Sequence, residues 1–171
     1  GDTINTLVLN RCRIESGKRR CVQIHSTSPP PAPGTGLFNK TFIANNSLFI
    51  CGGVEDGDAW PTVELRLAMG SATFNRCVLY PTDPDTNRKW NIYARVDLSS
   101  SSTLTLDHCD LLMPEGSDPR EQINLSQSVT NGPYDVAITN CNLFSSPAEG
   151  GDCDGISAAD SNIGFTSSHN N

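Results

Sequence analysis

Four strings of this 171-residue chain repeat one pattern. They are Leu7-Val8-Leu9-Asn10-Arg11-Cys12-Arg13-Ile14, Ala72-Thr73-Phe74-Asn75-Arg76-Cys77-Val78-Leu79, Leu104-Thr105-Leu106-Asp107-His108-Cys109-Asp110-Leu111 and Val136-Ala137-Ile138-Thr139-Asn140-Cys141-Asn142-Leu143. Phe42 to Phe49, with Ser47, and Ile163 to Asn170, with Ser168, are weaker copies of the same template, apolar-x-apolar-x-x-Cys/Ser-x-apolar. The marker residue falls at 12, 47, 77, 109, 141 and 168, in steps of 35, 30, 32, 32 and 27. A unit of about 31 residues cannot bury its apolar face alone, so successive units must stack into a solenoid or an array.

Each unit carries a second alternating run: Cys21 to His25, Val63 to Leu67, Ala94 to Leu98, Gln122 to Ser126 and Gly155 to Ala159. Alternation of period two predicts strands, and no window shows helical periodicity. The chain reads as an all-β coil with two or three strands per turn. A short Gly/Ser/Asn-rich link leads from each second strand to the next marker strand, and a longer Pro/Gly/Asp-rich loop follows the marker strand.

Val136 to Leu143, and Asp154-Gly155-Ile156 followed by Ser161-Asn162-Ile163-Gly164-Phe165-Thr166-Ser167-Ser168, resemble right-handed parallel β-helix proteins of the pectate-lyase-like superfamily, over nearly the whole chain. The resemblance implies a right-handed parallel β-helix (β-solenoid) of about five coils, with residues 1–171 a single domain and a segment of a larger protein. Its members include pectin-degrading and alginate-modifying enzymes, phage tailspikes and adhesins without enzymatic role. What it implies here is a module at an extracellular, cell or virion surface that binds or cleaves polysaccharide, with a homotrimer as in tailspikes. The alternative is a structural solenoid in a phage appendage, surface fibre or adhesin.

Stacking equivalent strands about 4.8 Å apart gives parallel sheets and makes columns readable. Leu9, Ala44, Phe74, Leu106, Ile138 and Phe165 form one inward ladder, and Ile14, Phe49, Leu79, Leu111 and Leu143 another. Cys12, Ser47, Cys77, Cys109 and Cys141 stack between them at a bend. The column Asn10, Asn45, Asn75, Asp107, Thr139 and Thr166 is read as side chains bonding backbone or one another along the stack. Arg11, Asn46, Arg76, His108 and Asn140 fall at an exposed bend. Thiols so stacked are expected to be reduced, because vertical neighbours hold their Cβ atoms farther apart than a disulfide allows. That suits a chain folded in a reducing compartment. Cys21, Cys51 and Cys153 lie off this column. No amphipathic helix caps either end, so further coils or a capping partner are expected to cover the terminal edges.

Composition narrows the partners. Lys and Arg number 12 against 19 Asp and Glu, a net charge of −7, and the only local basic run is Lys18-Arg19-Arg20. Nucleic acid is an unsuitable partner for such a chain. No apolar stretch approaches the ~18 residues of a membrane span, so no membrane insertion is expected. With no CxxC pair and three histidines, a zinc site is not expected. Asp83-Pro84-Asp85-Thr86-Asn87 begins like a calcium loop, but Arg88 and Ala94 stand where an EF-hand needs Gly and Glu. No cofactor is required, and calcium held by stacked loop carboxylates is the one metal left open. Sequons occur at Asn39, Asn45 and Asn124. Ser28 to Gly34 is a stiff Pro-rich loop.

Two readings stand for each candidate site. The loops after the marker strands are acidic (Glu55, Asp56 and Asp58; Asp83 and Asp85; Glu115 and Asp118; Glu149, Asp152 and Asp154), either a carboxylate pair for glycoside hydrolysis or a solvated rim of turn formers. Asp152-Cys153-Asp154-Gly155 is similar to strings near the catalytic aspartates of polygalacturonases, yet the Gly-His-Gly and Arg-x-Lys motifs of that family are absent. The same residues suit a tight turn. Outward positions of the second strands give Gln23, His25, Glu64, Arg66, Arg95, Asp97, Asn124, Ser126 and Ser157. Glu64 with Asp97 is the best acid pair on them. Pairing of Glu64 with Arg95, or of Arg66 with Asp97, as a surface ladder explains the same charges. Trp60 and Trp90, with Tyr93 nearby, either stack on sugar faces or cover the interior where loops leave the coil. The candidate catalytic residues are therefore Glu64, Asp97, Asp152 and Asp154, and the candidate substrate-binding residues Trp60, Trp90, Arg66, Arg95 and Tyr93.

Overall fold

The alternating runs are strands in the computed structural model, which describes residues 6–17, 20–24, 40–52, 61–66, 69–82, 91–96, 102–113, 122–127, 134–144, 155–158 and 163–171. In chain order they are β1 (Thr6–Asn10), β2 (Arg13–Ser16), β3 (Val22–Ile24), β4 (Lys40–Asn45), β5 (Leu48–Cys51), β6 (Val63–Arg66), β7 (Met69–Asn75), β8 (Val78–Pro81), β9 (Ile92–Val96), β10 (Ser102–Asp107), β11 (Asp110–Leu112), β12 (Ile123–Gln127), β13 (Tyr134–Thr139), β14 (Asn142–Phe144), β15 (Ile156–Ala158) and β16 (Ile163–Ser168). Among the described residues there is no helix, and hence none long and apolar enough to cross a membrane.

Three sheets result. Sheet A is β1-β4-β7-β10-β13-β16, sheet B is β2-β5-β8-β11-β14 and sheet C is β3-β6-β9-β12-β15. Every pairing is parallel. A parallel pair needs a long crossover, and here the crossover is the passage through the other two sheets. The chain visits A, B and C in turn, and each return lands beside its previous pass.

The registers carry the inward ladders. Leu9, Ala44, Phe74, Leu106 and Ile138 are aligned across sheet A, and Ile14, Phe49, Leu79, Leu111 and Leu143 across sheet B. Size alternates between neighbours: Phe42 faces Ala72, and Ala44 faces Phe74. The Phe42 and Phe74 rings thereby meet at 5.3 Å, and Phe49 meets Phe74 edge-on at 6.1 Å. With Leu65, Ile92, Ile123 and Leu125 from sheet C these residues form one dry core. At the outermost strands of sheet A the same inward rows are uncovered, and Leu7 and Phe165 are exposed.

The last repeat differs from the sequence expectation by two residues. Ile138 aligns with Ser167, not Phe165, and Thr139 with Ser168, not Thr166. The sixth marker is accordingly Asn170, whose Oδ1 accepts the Cys141 N–H at 2.9 Å. Asn performs there the acceptor role that Cys and Ser perform above, which a Cys/Ser template could not reveal.

Candidate functional site

Two polar corners and two outer rows hold the chemistry, and each begins with a backbone requirement. Between sheets A and B the chain bends through one left-handed residue per pass: Arg11, Asn46, Arg76, His108, Asn140 and His169, with φ between 49° and 55°. All six are exposed. Such a residue costs about 1–2 kcal/mol unless it is Gly, with Asn and His better tolerated than Arg.

At the bend the marker N–H leaves the sheet ladder and needs a new acceptor. The next marker side chain supplies it: Cys12 N–H donates to Ser47 Oγ at 3.2 Å, Cys109 N–H to Cys141 Sγ at 3.3 Å, and Cys141 N–H to Asn170 Oδ1. Each marker proton in turn goes to a carbonyl two residues back, from Ser47 Oγ to Asn45 O at 2.8 Å and from Cys141 Sγ to Thr139 O at 3.1 Å. Cys77, Cys109 and Cys141 are buried, and the six described cysteines are free thiols. Hydrogen bonding to Cys109, working against burial, lowers the Cys77 and Cys141 thiols to about 7. Its two sulfur neighbours and burial push Cys109 up. Cys77, Cys109 and Cys141 are closed to solvent and bonded to one another and to backbone, which is a structural role, whereas Cys12 at the first pass is half-buried.

The second corner, entering sheet C, was not foreseen. Thr62, Asn91 and Gln122 are fully buried polar residues in a vertical ladder. Thr62 Oγ1 donates to Asn91 Oδ1 at 3.0 Å, and Asn91 Nδ2 donates to Gln122 Oε1 at 2.7 Å and Leu112 O at 2.9 Å. Gln122 Nε2 donates to Phe144 O at 2.8 Å. The signal was present as a polar residue immediately before the first inward apolar residue of three second strands, Thr62 before Val63, Asn91 before Ile92 and Gln122 before Ile123.

On the outside of sheet C the register joins Gln23, Glu64, Tyr93, Asn124 and Ser157 in one row, and Arg66, Arg95 and Ser126 in the next. Three expectations change. Glu64 aligns with Tyr93 rather than Arg95, and Arg66 aligns with Arg95, because a period-two pattern is unchanged by a shift of two. Glu64 is not an open surface acid either: it is fully buried, ion-paired with Arg20, and accepts from Gln23 Nε2 at 3.3 Å. Its register row holds no second acid. Asp97, Asp152, Asp154, Trp60 and Trp90, the acidic loops and Asp83 to Asn87 lie outside the described residues. Arg66, Arg95 and Tyr93 are placed by backbone register alone.

On sheet A the column runs Asn10, Asn45, Asn75, Asp107, Thr139 and Ser168, the last in place of the expected Thr166, and its side chains bond to one another at two steps. Asn45 Nδ2 donates to Asn10 Oδ1 at 2.8 Å, and Thr139 Oγ1 to Asp107 Oδ1 at 2.7 Å. Asn140 Nδ2 adds a bond to Asp107 at 3.0 Å, and His108 Nδ1 lies 3.0 Å from its other oxygen. Thr139 first, then Asn140 and His108, hold the Asp107 carboxyl down at about 2. Outward positions of sheet B are mostly apolar, running Leu48 and Ile50, Val78 and Tyr80, then Leu112 and Phe144. Phe144 is exposed and the others are half-buried. Among the described residues no group of three or more His, Cys, Asp or Glu is placed to hold a metal ion.

Comparison with known proteins gives no relative to argue from: no family model, no curated protein and no solved structure matches the chain.

Proposed function

We propose that the chain is a right-handed parallel β-helix of about five coils and about 31 residues per coil, of the pectate-lyase-like kind, that binds an extended polysaccharide at an extracellular, cell or virion surface. One observation carries this reading. Parallel register turns residues some thirty positions apart into straight outer rows, and the rows of sheets A and C are rich in amide, hydroxyl and charged groups. A row with a fixed repeat suits a polymer with a fixed repeat. Sugar hydroxyls are recognised by just such groups, with aromatic rings such as Trp60 and Trp90 for their apolar faces. Cleavage would require a second carboxylate near Glu64, drawn from Asp97, Asp152 or Asp154. The partners in this reading are a polysaccharide, further coils or a capping partner on the uncovered inward rows, and two further copies in a homotrimer. Calcium would bind, if at all, through the loop carboxylates.

The test is a glycan array on the folded chain, with and without calcium, repeated with Trp60 and Trp90 replaced by Ala and with bound oligosaccharides checked for shortening. Binding lost in the Trp variant supports the site, and shortened products make it an enzyme. Silence across neutral, acidic and bacterial-surface glycans favours the second reading, a structural solenoid. The buried Arg20–Glu64 pair is the observation on that side, because it ties the best candidate acid into the scaffold. Replacing Glu64 by Gln with loss of stability and unchanged glycan binding would assign that residue to the scaffold.

A further inference from the structure

We infer that Arg11, Asn46 and Arg76, the first half of the bend row Arg11, Asn46, Arg76, His108, Asn140 and His169, form a binding track for a linear glycan carrying an acidic group on alternate sugars. This rests on the carbohydrate reading above and names its substrate class and a face separate from sheet C. These residues are 29 to 35 positions apart in sequence, so no local basic run announces them. Register brings them onto one edge, since each follows a member of the aligned column Asn10, Asn45, Asn75, Asp107, Thr139 and Ser168.

Three observations converge. The row is exposed throughout. None of its six left-handed positions is glycine, the residue that takes that conformation without cost, so side chains are retained against a backbone preference. Its order is also not random: Arg-Asn-Arg is followed by His-Asn-His, each a pair of nitrogen bases two levels apart with an amide between. Levels are about 4.8 Å apart, so the paired bases stand about 10 Å apart. That is close to the advance of a disaccharide in an extended pyranose chain. An acid on alternate sugars would meet Arg11 and Arg76, while Asn46 meets the neutral sugar between; His108 stands one level beyond Arg76, so His108 and His169 fall opposite neutral sugars of that chain.

The electrostatics agree. No acid among the described residues pairs with Arg11 or Arg76, which leaves both forks free for carboxylate or sulfate. Asp107, the carboxylate in the adjoining column, is occupied by Thr139, Asn140 and His108. On a chain of net charge −7 the row is a local cationic edge.

The test measures calorimetric binding of the full chain to a hyaluronan octasaccharide, which alternates glucuronate with N-acetylglucosamine. An oligogalacturonate of equal length, acidic at every sugar, and neutral chitohexaose are the comparison ligands. The variants are Arg11→Asn/Arg76→Asn, which keeps residues suited to positive φ, and Arg13→Asn, which removes an exposed charge outside the row. Expected is hyaluronan binding that weakens with salt, is at least about tenfold weaker in the Arg double variant, and is unchanged in the Arg13 variant. Circular dichroism identical to the parent shows that the Arg double variant is folded. Hyaluronan binding unaffected by the Arg double variant, oligogalacturonate bound equally well, or hyaluronan ignored while another glycan binds would each overturn the track and leave the carbohydrate reading standing. No binding to any glycan here or on the array would overturn both.

Discussion

Replacing Asn91 by Ala tests whether the buried corner ladder holds the stack together. Asn91 is fully buried, accepts one hydrogen bond and donates two. Removing its amide strands the Thr62 hydroxyl, the Gln122 Oε1 and the Leu112 carbonyl in a dry interior. Each stranded group costs about 1–3 kcal/mol. A water entering the polar space left behind recovers part of that, so the expected loss is about 3–4 kcal/mol. Thr62→Val removes only the bond to Asn91 Oδ1 and is expected to cost about 1–2 kcal/mol. Because both substitutions break the same Thr62–Asn91 bond, the double variant should lose about 1 kcal/mol less than the sum. The assay is equilibrium urea unfolding, followed by circular dichroism and by tryptophan fluorescence so that coincident transitions license a single free energy. A loss below about 1 kcal/mol for Asn91→Ala, in the range of ordinary surface substitutions, or strict additivity in the double variant, would refute the ladder.

Other outcomes follow from the bends and the outer rows. Arg76→Val should destabilise by about 1–2 kcal/mol relative to Arg76→Asn in the same urea assay, since a β-branched residue resists positive φ. In a thiol-labelling time course, Cys12 and Cys21, which are half-buried, should react in the folded chain, whereas Cys77, Cys109 and Cys141 should react only on unfolding. Asp107 is held at about 2 in the fold against 3.8 ordinarily, so it favours the fold above about pH 4, and that contribution fades as pH falls through about 2. Asp107→Asn should flatten this acid limb in a pH series of urea midpoints. Glu64→Gln should cost about 3 kcal/mol, because it leaves Arg20 charged and largely buried beside an uncharged amide.

The faces of the strands were legible in the sequence because burial follows a period of two. That pattern separated Phe74 and Leu106 from Thr73 and Thr105, and predicted parallel sheets whose inward rows are Leu9 to Ile138 and Ile14 to Leu143. It could not fix how far one strand slides along another in steps of two. The misplacements all have that size: Phe165 for Ser167, Thr166 for Ser168, the marker Ser168 for Asn170, Arg95 set against Glu64 where Tyr93 stands, and Asp97 set against Arg66 where Arg95 stands. The burial of Glu64 was hidden for a different reason. Arg20 belongs to the preceding pass of the chain, and no local pattern links the two. The bend row was legible as far as Arg11, Asn46, Arg76, His108 and Asn140, and its sixth member, His169, was hidden by the same two-residue slide of the last repeat.

The polar bends supply what hydrophobicity leaves open. Sliding one strand by two residues keeps its apolar side chains pointing inward, so apolar burial changes little and gives no strong choice of register. The same slide carries the marker away from the bend and strips the acceptor from the N–H of the marker above. Acceptors of this kind serve Cys12, Cys109 and Cys141. Orphaning those three at about 1–3 kcal/mol each would cost about 3–9 kcal/mol, on the scale of a whole domain's stability of about 5–15 kcal/mol. The requirement also explains the chemistry of the column. A marker has to be small enough for the interior, carry a lone pair for the N–H above, and carry a proton for its own strand's carbonyl. Cys and Ser meet all three conditions, Asn170 at the final strand meets the first two and sends its Nδ2 proton to Ile138 O of the neighbouring strand at 2.9 Å, and Ala or Val would meet only the first. The outer rows that would receive a ligand inherit their alignment from these inner bonds, so a marker changed to Val should blur binding on the outside as well as lower stability within.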